Sequence, residues 1–159
     1  MKPANFTFKI DIQQIANGMS LSVDEARAFL DDGRIVGRYA EFVVQNKQIG
    51  NRAKSEGSSY DNDAPDGKRI EVRSMDNRVS FSSSKEVGFG RKQTAQGWAD
   101  KLNAVDIWCL VDYSNFEEWN FIFLTTDEVR HMADIGVMKK NHSISRRKLL
   151  KYLTKNNIL

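Results

Sequence analysis

The chain has 159 residues, 40% of them apolar and 28% charged, and a formal net charge of +3, which suits one domain with its own core in the usual range of about 100–200 residues. Its longest apolar runs, VDIWCLV and FIFL, fall far short of the roughly 20 residues that cross a bilayer, and MKPANFTFKID has no signal-peptide hydrophobic segment, so the reading excludes a membrane partner and expects a cytoplasmic protein. One cysteine and two histidines exclude an internal disulfide and a zinc site built from Cys and His, which leaves any metal to oxygen ligands.

In chain order, NFTFKIDIQQI alternates apolar and polar residues and predicts a short strand. SVDEARAFLDDG opens on a capping box, Ser22 three residues before Glu25, and predicts a helix that stops at Gly33. In RIVGRYAEFVVQNKQIG, Ile35, Tyr39, Phe42 and Val43 recur at helical spacing and predict a second helix, closed by Gly50. NRAKSEGSS is polar and predicts a surface loop. A strand at about 59–61, the turn NDAPDG and a strand at 68–74 follow; Pro65 presets one dihedral of the turn and Gly67 accepts the positive one. NRVSFSS predicts a further strand, TAQGWADKLN a short helix, AVDIWCLVDY a buried strand with Cys109 in the core, and EEWNFIFLTT another strand. TTDEVRHMADIG and SISRRKLLKYLTKN predict two closing helices with Ser/Thr caps, and Trp98, Trp108 and Trp119 fall at core spacing. Helices first, strands in the middle and helices last predict an α/β (α+β) fold, a mixed central sheet flanked by helices. Its core lies at about 34–125, and a basic helical part occupies 126–159. From 136 to 159 there are seven Lys/Arg and no Asp or Glu, so that end of the chain suits a polyanion.

The stretch SYDNDAPDGKRIEVRSM, residues 59–75, carries the candidate chemistry. Residues two apart on a strand share a face, so Arg69, Glu71 and Arg73 line one face while Ile70 and Val72 point into the other. The preceding strand brings Asp61 across the hairpin towards Glu71. Two such carboxylates, completed by waters and a substrate phosphate, suit Mg²⁺, with Mn²⁺ as a substitute. An ion held there activates a water and stabilises the charge that builds on phosphorus. Asp63 is the rival to Asp61 as the second ligand. Asp66 stands only five residues before Glu71, short for two strands to diverge and reconverge. The triplet EVR recurs at Glu128, in a predicted helix with no turn and no upstream acid, and there it reads as a solvated helix face.

YDNDAPDGKRIEVRS resembles the core motif of the PD-(D/E)XK, or restriction-endonuclease-like, nuclease superfamily: an Asp entering a hairpin, then Glu-x-Lys on the next strand, often followed by Ser. GRYAEF resembles the superfamily's Gly-x-x-x-Glu helix just upstream. VSFSSSKEVGFGRK and WADKLNAVDIWCLVD resemble the strand, Gly/Arg turn, helix and buried strand that follow the motif in restriction-type members. The resemblance spans about 37–112 and implies a restriction-endonuclease-like core that hydrolyses nucleic-acid phosphodiesters with a divalent metal. Under it Asp61 and Glu71 are metal ligands, Val72 supplies a backbone carbonyl at the metal, Glu41 assists through a second metal or a water, and Arg73 takes the lysine position. Arginine departs from the pattern there. It supplies charge and two hydrogen bonds but cannot act as a base, because an arginine side chain is charged at every working pH. Lys68 lies on the wrong strand face to replace the missing lysine, whereas Arg69 shares the face of Glu71.

KEVGFGRKQTAQGW sets Lys85, Arg91 and Lys92 around two glycines that let backbone amides approach phosphate, and with Arg69 these are the candidate DNA contacts. Ser82, Ser83 and Ser84 offer further hydroxyl donors. The reading is therefore a Mg²⁺-dependent endonuclease acting on double-stranded DNA, of the restriction (type II-like) or DNA-defence kind. A homodimer matches a palindromic site, with Ile144, Leu149, Leu150 and Leu153 of the last helix as a candidate interface or its basic face on DNA; a subunit of a larger nuclease complex is the other assembly. Two alternatives stand beside it: a structure-selective repair or recombination nuclease, and a DNA-binding subunit whose catalytic site has decayed at Arg73.

Overall fold

The structure, a computed structural model, describes residues 1–54, 58–82 and 94–159. β1 (Phe6–Lys9) takes up the alternating stretch near the N-terminus. The strand stops where the Asp11 carboxylate accepts from the Gln14 amide and caps α1 (Ile12–Met19), a helix that the alternation concealed. α2 (Val23–Leu30) begins on the expected capping box, in which Ser22 and Glu25 each accept from the other's amide. Gly33 does not terminate it. Asp32 accepts from the Arg34 amide and opens α3 (Gly33–Asn46) there instead. α3 closes through Lys47 and Gln48, the latter at φ 58°, and not through Gly50. Gly50 lies against the sheet, where a Cβ would meet Asp63 O and Ile70 Cδ1 at 3.1 Å.

The strands that follow are β2 (Asn51–Arg52), β3 (Asn62–Asp63), β4 (Arg69–Met75), β5 (Arg78–Ser80), β6 (Ile107–Asp112) and β7 (Glu118–Thr125), with α4 (Ala95–Ala104) between β5 and β6. The chain ends in α5 (Thr126–Asp134), β8 (Ser143–Ser145) and α6 (Arg146–Lys155). Six strands form one mixed sheet in the order β1-β7-β6-β4-β3-β2. Only β4 and β6 run parallel, and α4 lies in the crossover that such a pair requires. The Pro65 turn behaves as expected: Ala64 O accepts from the Gly67 amide at 2.9 Å, Ala64 N donates to Lys68 O at 2.8 Å, and Gly67 takes φ 80°. The strand expected at 59–61 is displaced, since pairing falls on Asn62 and Asp63 alone. The loop expected from residue 51 opens with the short edge strand β2. NRVSFSS leaves the main sheet, because β5 pairs with β8, an unforeseen strand, in a second sheet of two strands.

Both faces of the central sheet are covered. On one face Met75, Trp108, Leu110, Ile122 and Leu124 pack with side chains from α4, α5, α6 and the small sheet; on the other Ile70, Val72, Cys109, Phe121 and Phe123 pack with α3. β6, caught between the two layers, is buried along its whole length and has no polar alternation. The closing segment belongs to this core. Ile144, Leu149 and Leu153 are at most 1% exposed and Leu150 packs against them, which overturns the expected dimer interface: burial inside one chain removes these side chains from any contact between copies. Arg146 adds a polar tie, its guanidinium reaching both oxygens of buried Asp112 at 2.9 and 3.0 Å and so fixing the start of α6 to the end of β6. Among the described residues no helix is long and apolar enough to cross a membrane.

Leu149→Ala leaves a cavity between α6 and the sheet, and urea denaturation of the variant is expected to show a loss of about 2–5 kcal/mol. A loss below about 0.5 kcal/mol would mean that α6 is not packed as described.

Candidate active site

The site begins where β3 runs out. Asp63 pairs with Arg69 and Asn62 with Ile70, after which the Asp61 amide still donates to Ile70 O at 2.9 Å. Beyond that the two strands part. The Val72 amide, left without a strand neighbour on this side, donates instead to the Asp61 carboxylate, at 2.7 Å to Oδ2. In extended backbone the amide and carbonyl of one residue leave by the same edge, so the Val72 carbonyl also points towards the opening that Asp61 guards. Asn62, fully buried, donates to Glu41 O and Gly50 O at 3.3 and 3.4 Å and so pins α3 to the hairpin on the other side.

Glu71 points from β4 into the layer under α4 and is 5% exposed. Each of its oxygens carries an ion pair: Oε1 with Arg73 Nη2 at 2.7 Å and Oε2 with Lys101 Nζ at 2.8 Å. Lys101 rises from α4 and is itself 8% exposed. Its ammonium also donates to Ser59 O at 2.7 Å and stands 5.7 Å from the centre of the Trp108 ring. Arg73 Nη2 reaches Ser82 O at 3.0 Å, and Arg73 Nε is buried with no hydrogen-bond partner among the described residues. Burial pushes the Glu71 carboxyl above its ordinary pKa; Arg73 opposes that shift, Asp61 adds to it and Lys101 opposes it. Burial likewise depresses Lys101, against the pull of Glu71.

The structure thus brings Asp61, Glu71, the Val72 backbone and Arg73 together, and it adds Lys101. Sequence reasoning missed that lysine, although a signal was present: Trp98, Lys101, Leu102 and Val105 recur at helical spacing, which sets a cation within an apolar stripe. Glu41, on α3, lies on the far side of Asp61. Its Oε2 accepts from Arg38 Nη1 at 2.8 Å and stands 3.5 Å from Arg52 Nε. Its pKa is raised by burial and then by Asp61, with Arg38 and Arg52 acting against them. Asp63 engages the Tyr60 hydroxyl rather than Glu71. Asp66 pairs with Lys68 at 2.9 Å within the turn. Arg69 forms a fork on Asp106, with Nε at 2.9 Å from Oδ2 and Nη2 at 3.2 Å from Oδ1. Ser82 is buried and donates to Asn141 O at 2.8 Å, so it is structural and not a donor to bases or phosphates. Lys85, Arg91 and Lys92, with Ser83 and Ser84, lie outside the described residues. Glu128, expected on a solvated face, is half-buried: it accepts from the Thr125 amide in a capping box and pairs with Lys2 at 2.7 Å. Cys109 is fully buried, and burial holds its thiol far above the range of a reactive cysteine.

No family model, curated protein or solved structure matches the chain. Among the described residues no three His, Cys, Asp or Glu side chains converge as a metal cage. The donors that do gather are carboxylate and carbonyl oxygens, which suit Mg²⁺ rather than zinc, since Mg²⁺ takes one or two carboxylates and keeps waters. Asp61 adds to the raised pKa of both Glu71 and Glu41, while Arg73 and Lys101 oppose it at the one and Arg38 and Arg52 at the other, so these carboxylates already carry counter-charges. Each Glu71 oxygen that accepts one hydrogen bond retains a second lone pair for an ion. Two carboxylates and a backbone carbonyl are donor types that Mg²⁺ takes, and both Glu71 oxygens also face a cation.

The charge balance gives a directional prediction. In carbon-detected NMR titration without metal, Asp61→Asn is expected to lower the Glu71 pKa, whereas Arg73→Met and Lys101→Met each raise it. A Glu71 pKa that ignores all three changes would mean that the groups do not share one field.

Proposed function

We propose that the chain is a metal-dependent endonuclease for double-stranded DNA, of the PD-(D/E)XK kind, serving restriction or DNA defence. One observation carries the reading: Glu71 is held on a rigid strand between Arg73 and the buried Lys101, with Asp61 anchored beside it at an opening of the sheet. The order of elements supports it. A helix bearing Glu41, a hairpin, a crossover with α4 and the buried parallel strand β6 occur in the sequence that the resemblance implies.

In this reading Asp61, Glu71 and the Val72 carbonyl would hold the ion, which would supply an acidified water and charge for the phosphoryl oxygens. Lys101 takes the part of the lysine that Arg73 does not fill. Its ammonium donates to Glu71 and Ser59 O and has one N–H left to orient the attacking water, and its lowered pKa brings a neutral amine closer to working pH. Arg73 keeps its charge and balances the carboxylate. Basic surface flanks the site: Ser82, which Arg73 contacts, is hydrogen-bonded to Asn141, next to exposed Lys139 and Lys140. α6 presents Arg147, Lys148, Lys151 and Lys155 on its exposed side, a row suited to phosphates. Cutting both strands of a symmetric site calls for two copies, so the working unit in this reading is a homodimer.

A second reading, DNA binding without catalysis, is favoured by the two ion pairs that cover Glu71. Purified protein incubated with plasmid and phage DNA in Mg²⁺ or Mn²⁺ separates the two. Discrete products are expected from the wild type, with no cutting by Glu71→Ala and a rate lowered about 10²–10³-fold in Lys101→Met. Cleavage that survives Glu71→Ala would refute this site. Tight DNA binding with no cutting in either metal would replace the nuclease by the second reading.

A further inference from the structure

Beside Asp61, between α3 and the residues at and after β2, lies a polar cavity of about 290 Å³ lined by Arg38, Glu41, Arg52, Lys54, Tyr60 and Asp61 among others. Three cations and two carboxylates give it a net charge of +1, taken over those side chains. The volume is at the lower end for a ligand pocket and suits one sugar-phosphate unit rather than a larger molecule. Two of its three cations are held by one carboxylate. Glu41 is 13% exposed and draws Arg38 and Arg52 to a single oxygen, Oε2. Each guanidinium has five N–H donors, and the contact with Glu41 engages one nitrogen of each. Arg52 also stacks over the Phe42 ring at 5.1 Å, and its Nε is buried without a hydrogen-bond partner among the described residues. Glu41 itself is fixed through its backbone by Asn62.

We infer that this cavity is a phosphate-binding subsite in which Arg38, Arg52 and Lys54 grip the nucleic-acid backbone next to the cleaved bond, and that Glu41 is a positioning residue for the two arginines rather than a metal ligand. The inference rests on the nuclease reading and deepens it. Two arginines that would otherwise repel are brought to one side of a partly buried carboxylate, which presents a preformed fork for phosphate. Asp61 lines both this cavity and the opening at Val72, so a backbone running along the β2 edge passes from one to the other.

Fluorescence anisotropy of a labelled duplex, titrated in Ca²⁺ over a series of salt concentrations, tests this beside Mn²⁺ binding measured on the protein alone. Arg52→Gln, Arg38→Gln and Lys54→Gln are each expected to weaken DNA binding and to reduce the slope of log K against log salt by about 0.9, with Mn²⁺ affinity unchanged. Arg52→Lys, which keeps the charge, is expected to keep the slope. Glu41→Gln should weaken DNA binding and leave Mn²⁺ affinity intact. Lys54 is exposed, so its variant reports even if the arginine variants misfold. A wild-type slope retained in the Lys54 variant and in every folded arginine variant overturns the subsite while the nuclease reading stands. Loss of Mn²⁺ affinity in Glu41→Gln overturns the positioning role. A wild type that binds no duplex at any salt concentration removes the reading on which the inference rests.

Discussion

The arrangement of this protein depends on one costly constraint, a glutamate buried on the central strand of a sheet. Taking a carboxylate out of water costs several kcal/mol unless good partners surround it. Glu71 is tolerable because Arg73 stands two residues along the same strand and Lys101 descends from α4 to the other oxygen. Each cation is tied down in turn, Lys101 by Ser59 O and Arg73 by Ser82 O. The segments on either side of β4 are thereby fixed relative to α4. A hydrophobic residue at 71 would pack at least as well, so the ion cluster is a poor explanation of stability.

The second constraint is the brevity of β2 and β3. A longer β3 would have continued pairing along β4 and covered the Val72 amide and carbonyl. Because pairing stops after Asn62, that amide needs another acceptor, and Asp61 supplies it with a side chain. The same irregularity places a carboxylate at a sheet opening, beside backbone oxygen that no strand occupies. Structure and candidate chemistry therefore share a cause: the hydrogen bond that repairs the interrupted ladder is also what orients Asp61.

Much of this was legible in the sequence, and the parts that were not share a physical reason. Local signals were read correctly where a local interaction decides the outcome. The Ser22–Glu25 capping box, the Pro65 turn with Gly67 at positive φ, and the apolar run of β6 are all of that kind. Gly33 and Gly50 were misread because Asp32 starts a new helix at one and the sheet approaches closely at the other. Leu149 and Leu153 showed an apolar stripe, but a stripe does not say whether it meets its own chain or another. Lys101 was missed because its ion pair with Glu71 spans thirty positions of sequence and only the parallel crossover brings the two together.

The division of labour between the two cations follows from their chemistry. Arginine is a planar fork that stays charged, whereas a buried lysine shifts its pKa readily. Placing arginine at 73 gives Glu71 a permanent counter-charge on the same strand. Placing lysine at 101 gives it a second cation whose proton is held less firmly as burial depresses the ammonium. In the proposed nuclease reading the ammonium comes from the crossover helix and not from two residues after the glutamate. Residue 73 brings an arginine to Glu71 along the strand, and in three dimensions an ammonium from Lys101 touches the same carboxylate.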